Sequence, residues 1–299
     1  MTRSCEGRVA LVAGASQGGT GTGTAIRLAA EGARVAVCAR STNKLRETLD
    51  AIEAVGGQGI MFECDLGDPL GGRDALVRRT EEALGPIDYL VYVAAYGPYK
   101  KFEELGYEEL DRAFEVNVKA PLLIAQHLVT SLRARLAAGA LVTIGTKAAR
   151  PLVGPPYPAT PPFMAGALYG GTKAALHRIT QSIAAETYGQ GISANVLSPL
   201  AAIGTPALRS GGWIPEEMFE PVETMVEAVL ALLTGDPAVL TGRDVSSIEL
   251  LVELQRPVYD FSGTTLVDGW QPADLPAFIE ARKVPVPLSY EGQSRGSRP

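Results

Sequence analysis

Histidine and cysteine are scarce in this chain, and their scarcity removes several chemistries at once. The two histidines, His127 and His177, stand fifty residues apart. No zinc-type cluster can be built on them, so no metal is expected. A histidine-centred triad would have to run through one of the two. Both fall inside helical patterns, where a histidine reads as structural. The three cysteines, Cys5, Cys38 and Cys64, make no disulfide framework. Cys38 and Cys64 lie in or beside strand-like runs and read as buried thiols without a redox role. Long apolar runs are missing too, since none approaches the ~18 residues of a membrane span. Arg3 and Arg8 ahead of an apolar stretch imitate a secretion signal, but that stretch ends in a glycine-rich loop, which fits a fold better than a cleavage site. Positive charge is not in excess: the net charge is −6, which excludes a nucleic-acid binder driven by bulk charge. The expectation is a soluble, cytoplasmic protein with neither membrane nor nucleic acid as partner.

What is present is an ordinary globular composition, 46% apolar and 20% charged, with ample material for a core. Short apolar runs at 9–12, 35–38, 60–62, 89–93, 141–144 and 193–196 read as buried strands. Helical periodicities at 24–31, 43–55, 73–84, 107–135 and 169–188 fall between them. Gly32, Gly85 and Gly189 close three of these helices. The alternation predicts an α/β fold, a doubly wound Rossmann-type parallel sheet with helices on both faces. At ~150 residues per domain the length admits two domains, but the unbroken rhythm favours one. It covers residues 1–255 and contains the catalytic site; residues 256–299 form a C-terminal extension packed on it, with the last ten flexible. Residues 151–162 hold six prolines and cannot be helix or central strand.

A doubly wound sheet binds its ligand at the carboxyl ends of its strands. There the first strand runs into Gly14-Ala15-Ser16-Gln17-Gly18-Gly19-Thr20-Gly21-Thr22-Gly23, and then a helix. Glycines let the backbone turn tightly and approach a pyrophosphate on the positive end of that helix. The loop thus nominates Gly14, Ser16, Gln17, Gly19, Thr20 and Gly21 for a dinucleotide. The second strand ends at Arg40 and Ser41, and no Asp or Glu lies between Glu31 and Glu47 to accept ribose hydroxyls. Arg40 offers a guanidinium to a 2′-phosphate instead, which favours NADP(H) over NAD(H). A solvated arginine at a strand end is the competing reading.

Tyr169-Gly170-Gly171-Thr172-Lys173 sets a phenol and an amine on one helix face at i, i+4. A phenol of pKa ~10 is a poor base at neutral pH. A lysine cation ~4 Å away, in an effective dielectric of ~20, supplies about 4 kcal/mol, or roughly three pKa units. The tyrosine then exchanges a proton with a substrate alcohol near neutral pH. By itself this pair is common, and only with the glycine loop and strand order does it become specific.

With these residues in view, the chain resembles the short-chain dehydrogenases/reductases, as an atypical member, from about residue 7 to residue 242. The resemblance implies an NADP(H)-dependent oxidoreductase that interconverts an alcohol and a ketone or aldehyde. It makes Tyr169 the acid/base and gives Lys173 the nicotinamide ribose. It implies that Asn117, in EVNV, holds Lys173 through a water, and that Asp65-Leu66 contacts the adenine. Ala94 falls within the match to the family's fourth-strand motif, and Pro199 and Thr205 match the segment that covers the nicotinamide amide.

The departures are Ala13 for a threonine, an extra residue before Gly21, Tyr92-Val93-Ala94-Ala95 for NNAG, and Leu200 for a glycine. The family's catalytic serine is absent, since no serine lies between Ser131 and Ser182. Alignment on LVTIGT puts Thr146 at that place, with Thr160 and Thr143 as weaker candidates. The proline-rich segment, with Tyr157, Phe163 and Met164 in or beside it, is either a wall over the substrate or a distant surface insertion. Trp213 and Phe219 suggest an apolar small-molecule alcohol or carbonyl, or a subunit contact. The family's pairing of long helices, here 107–135 and 169–188, implies a homodimer or homotetramer. The alternative function is a catalytically weak NADP-binding regulator or scaffold, and a related isomerase or dehydratase is a third reading.

Overall fold

The computed structural model describes residues 3–277 apart from 17, 99, 157–165, 211, 213–215, 269 and 271–275. Its apolar runs become strands because each finds a helical layer on both sides. In β1, Val9–Ala13, the side chains of Ala10 and Val12 enter one hydrophobic cluster. Those of Val9, Leu11 and Ala13 enter the other, as the two-residue period of a strand requires. All five residues are buried. This is the signature of a parallel sheet covered on both faces.

The elements follow in order α1 (Thr20–Ala30), β2 (Arg34–Ala39), α2 (Thr42–Ala54), β3 (Gln58–Glu63), α3 (Asp74–Leu84) and β4 (Tyr89–Tyr92). Then come α4 (Tyr107–Phe114), α5 (Ala120–Arg135), β5 (Gly139–Ile144), α6 (Ala167–Thr187) and β6 (Ile192–Ser198). The remaining elements are β7 (Ala202–Ile203), α7 (Pro206–Ser210), β8 (Phe219–Glu220), α8 (Val222–Thr234), β9 (Asp244–Ser246) and α9 (Ser247–Glu253). Seven strands form one sheet in the order β3-β2-β1-β4-β5-β6-β9, with every neighbouring pair parallel. The winding reverses between β1 and β4, so their carboxyl ends open the crevice where such sheets bind ligands. Helices α1, α2, α8 and α9 supply one cluster, and α3, α5 and α6 the other.

Three local outcomes differ from the periodicity. The first helix starts at Thr20, ahead of residue 24, because Gly21 packs inside its first turn. The stretch 107–135 is not one helix, since a π turn at Glu115–Lys119 separates α4 from α5. An inserted residue of this kind leaves a sequence looking helical and often marks a functional position. The short strands β7, β8 and β9 are too brief to show a period. After residue 255 the chain lays Val258, Phe261, Val267 and Trp270 onto the cluster beneath α1 and α8. Residues 151–156 form an exposed loop. The thiols of Cys5, Cys38 and Cys64 are buried and free, and burial pushes Cys64 up to about 11. Among the described residues no helix is long and apolar enough to cross a membrane, and no group of His, Cys, Asp and Glu is placed to hold a metal.

Candidate active site

At the switch point lies a cleft of about 420 Å³. Ten residues singled out by sequence line it together: Gly14, Ser16, Gly19, Thr20, Gly21, Arg40, Asp65, Leu66, Ala94 and Thr205. Its floor depends on missing side chains. Gly14 has φ +103°, and a Cβ there would come within 2.6 Å of the Ala94 nitrogen. A Cβ at Gly21 would sit 2.1 Å from the Gly14 carbonyl oxygen. Thr205 closes over the loop from above, its methyl 3.1 Å from where a Gly19 Cβ would be. Gly19, at the N-cap of α1, makes no side-chain cap, and no acid stands in the first turn, so among the described residues the positive dipole end is left for an anion. Ser41 caps α2 in position only and lies outside the lining, as does Pro199. Gln17 is outside the described residues.

Asp65 has partners within the chain as well as its place in the lining. Its carboxylate already accepts two 2.8 Å bonds from the Arg112 guanidinium and one of 2.9 Å from the Gly67 N–H. Burial pushes this carboxyl up, but Gly67 and Arg112 outweigh it, and Asp65 is held below the usual carboxylate range. Arg112, from α4, also lines the cleft, opposite in charge to the acid it holds. It lies 47 residues from Asp65 with no local signal, and sequence reasoning missed it.

Beside this cleft opens a second, of about 340 Å³, lined by Pro98, Lys100, Lys101, Phe102, Leu105 and Leu168 among others, with Tyr169 on its wall. The Tyr169 ring lies under the loop after β4, against Gly97. One turn along α6, Lys173 is 1% exposed and its Nζ donates to the Ile144 carbonyl at 2.8 Å. Burial lowers this amine from 10.5 to about 8. At pH 7 roughly nine in ten such amines still carry the proton. Among the described residues Gly171 meets nothing within 4 Å, so none of them accounts for a glycine there.

Asn117 sits in the π turn, fully buried. Its Oδ1 accepts from the Tyr96 N–H at 2.8 Å, and its Nδ2 donates to the Tyr96 carbonyl at 2.7 Å and to Thr172 Oγ1 at 2.9 Å. All three of these side-chain bonds go to Tyr96 and Thr172, and none to Lys173. The side chain clamps the loop after β4 to α6, next to Tyr169. Tyr92, the residue standing for an asparagine of the family motif, donates its hydroxyl to the Val116 carbonyl at 2.5 Å and braces the same π turn.

Thr146 follows β5 and starts the short turn Lys147–Ala149, its Oγ1 accepting from the Ala148 N–H at 3.2 Å. The hydroxyl hydrogen is left to donate. Thr143 is excluded as its substitute, being 1% exposed and paired with Thr180 at 3.0 Å. Thr160, Tyr157, Phe163, Met164 and Trp213 lie outside the described residues. Phe219 is buried under the Arg209 guanidinium, 4.8 Å from its ring centre, and does not face either cleft. His127 is exposed on α5, whereas His177 is buried, one turn beyond Lys173. Its Nδ1 pairs with Asp244 Oδ2 at 3.0 Å, and its Nε2 accepts from the Thr146 N–H at 3.3 Å.

The family model for short chain dehydrogenases matches residues 8–210. An uncharacterized oxidoreductase of Thermotoga maritima is 31% identical over 223 residues, 74% of this chain and 83% of the relative. A hydroxynaphthalene reductase of Aspergillus fumigatus is 27% identical over 233 residues, covering 78% of this chain and 80% of the relative. Among solved structures, a short chain dehydrogenase from Burkholderia cenocepacia in complex with NADP superposes with a TM-score of 0.67. It is 27% identical, over 81% of this chain and 97% of that one.

Proposed function

The chain belongs to the short-chain dehydrogenase family, and from that premise we propose that it is an NADP(H)-dependent oxidoreductase interconverting an apolar alcohol and its ketone or aldehyde. The observation that carries this reading is the position of Tyr169 on the wall of the second cleft, with Lys173 buried one turn behind it. A dinucleotide fits the first cleft on two counts. Gly14 and Gly21 make a cradle that any Cβ would fill, and the uncapped start of α1 suits a pyrophosphate. Ser16, Gly19 and Thr20 would hold that pyrophosphate, Arg40 the 2′-phosphate, and Leu66 and Ala94 the flanks of the bases. NADP(H), when bound, supplies or receives the hydride.

The chain's own residues handle the proton and the oxygen. In reduction, Tyr169 donates its phenolic proton to the carbonyl oxygen as negative charge develops there. The Lys173 ammonium favours the phenolate left behind. Thr146 donates its hydroxyl hydrogen to the same oxygen, where a preorganised donor is worth most. Asn117 acts through Tyr96 and Thr172, fixing the loop and the helix between which Tyr169 works. The apolar lining by Pro98, Phe102, Leu105 and Leu168 suits an apolar substrate.

The test is NADPH oxidation with a panel of apolar ketones, cyclohexanone, acetophenone and 1-tetralone, in wild type and Tyr169→Phe. Turnover of at least one ketone, abolished by Tyr169→Phe with NADPH affinity retained, is the expected result. A chain that binds NADPH and turns over none of them is the regulator, and this reading fails.

A further inference from the structure

Tyr169, Lys173 and His177 follow one another at i, i+4 along α6, and the reading above employs only the first two. His177 is 6% exposed and touches two other parts of the chain. On one side is Asp244, from β9 at the sheet edge, 67 residues away. The hydrogen bond to His177 is the main cause that holds this carboxyl below its usual range, with burial opposing and Arg150 assisting. On the other side is the Thr146 N–H.

An ionised carboxylate only accepts hydrogen bonds, so Nδ1 must carry the imidazole hydrogen and Nε2 must present a lone pair. That is the tautomer the Thr146 N–H requires. The ring is also wedged in place. A Cβ at Gly145 would lie 2.4 Å from Nε2, 2.6 Å from Val196 Cγ1 and 2.7 Å from Ser198 Oγ. Only a glycine at 145 lets the imidazole reach the peptide that bears Thr146.

We propose that His177, oriented by Asp244, is a positioning residue that fixes the Thr146 peptide and so aims the Thr146 hydroxyl at the substrate oxygen. The proposal rests on the reading of Thr146 as that oxygen's donor. The groups around the ring are Asp244 with Arg150 behind it, Lys173 one turn away on α6, Ser198 Oγ across Gly145, and the Thr146 N–H itself.

The experiment compares His177→Gln, His177→Leu, Asp244→Asn and Thr146→Val with wild type. It measures kcat, KM and NADPH affinity, using the fastest ketone of the panel. His177→Leu and Asp244→Asn should lower kcat about ten- to a hundredfold, the scale of a displaced reacting group. NADPH affinity should hold, because none of these residues lines the nucleotide cleft. In His177→Gln the amide oxygen can accept the Thr146 N–H, so this variant should recover most of the rate that His177→Leu loses. The double variant that combines His177→Leu with Thr146→Val should be no slower than Thr146→Val alone.

Imidazole ¹⁵N spectra of the ligand-free protein give a second readout, with only two histidines to assign. His177 should be the Nδ1–H tautomer, and Asp244→Asn should reverse it. An Nε2–H tautomer in wild type overturns the proposal. So does a wild-type kcat in Asp244→Asn, which decides the matter even if His177→Leu does not fold. If Thr146→Val is slow while both His177→Leu and Asp244→Asn run at the wild-type rate, the proposal fails and the Thr146 reading stands. A wild-type rate in Thr146→Val overturns both.

Discussion

The ring of Tyr169 lies against the backbone of Gly97, so close that a Cβ on residue 97 would sit 3.1 Å from Cδ2. Neither partner is free to retreat. The Asn117 amide grips both polar groups of Tyr96, the residue before Gly97, and also holds Thr172, one turn along from Tyr169's neighbours on α6. Gly97→Ala should therefore move the phenol by a few tenths of an ångström and lower kcat about tenfold, since reacting groups tolerate little misplacement. NADPH affinity should change far less. A wild-type kcat for Gly97→Ala in steady-state assays would show that the ring has room to shift.

Cofactor choice should depend on Arg40. This exposed guanidinium borders the cleft, and the carboxylate nearest in the lining, Asp65, is already occupied by Arg112. Arg40→Asp replaces attraction to a 2′-phosphate with repulsion. A charge-assisted hydrogen bond is worth ~1.5–3 kcal/mol, so NADPH affinity should drop roughly a hundredfold while NADH affinity stays within a small factor. NADPH binding should also weaken more steeply with salt than NADH binding. Fluorescence titration with both cofactors checks this, and equal losses for the two would remove Arg40 from the 2′-phosphate.

Lys173 should cost stability at neutral pH. Its amine is lowered from 10.5 to about 8 by burial, so the folded state holds this proton less tightly than the unfolded chain does. An amine with a depressed folded value gives stability that is present above the unfolded value and is lost as pH falls through about 8. The window is therefore pH 8 to 10.5. At pH 7 the penalty of the buried charge is about 3 kcal/mol, partly offset by the bond to Ile144 at ~1 kcal/mol. Lys173→Met keeps the length and removes the charge. It should melt a few degrees higher than wild type at pH 7, with the advantage shrinking towards pH 10, while losing turnover. A lower melting temperature for Lys173→Met at pH 7 would mean that the bond to Ile144 outweighs the desolvation.

The sheet was legible because its strands are doubly buried and its helices long, and both leave periods in the sequence. The glycine cradle and the pair Tyr169 and Lys173 were legible because each works at fixed local spacing. What could not be read is what joins distant positions. Asp65 with Arg112 spans 47 residues and His177 with Asp244 spans 67, and no pattern links either pair. The π turn at Glu115–Lys119 was invisible for a different reason. One extra residue per turn leaves composition and apparent periodicity intact, yet it turns the Asn117 side chain inward to the loop and α6. Phe219 misled because an aromatic side chain beside a cleft in sequence can as well stack beneath an arginine.

Oligomerisation should run through α4, α5 and α6. Tyr107 is 88% exposed, and Leu110, Phe114, Leu122 and Leu123 extend the apolar surface along α4 and α5. On α6, Gly171 meets nothing within 4 Å among the described residues, although a glycine inside a helix costs ~1 kcal/mol relative to alanine. Both facts are accounted for if a second copy packs its helices here and approaches closely at Gly171. Phe114→Glu with Leu123→Glu should then give a monomer in sedimentation at micromolar concentration, and Gly171→Leu should shift the equilibrium the same way by blocking the close approach. Gly171→Ala discriminates further. With a partner at this face it should weaken the assembly, whereas on a face that stays in solvent it should only stabilise the helix, by ~0.5–1 kcal/mol. A wild type that sediments as a monomer, together with a more stable Gly171→Ala variant, would leave this face to solvent.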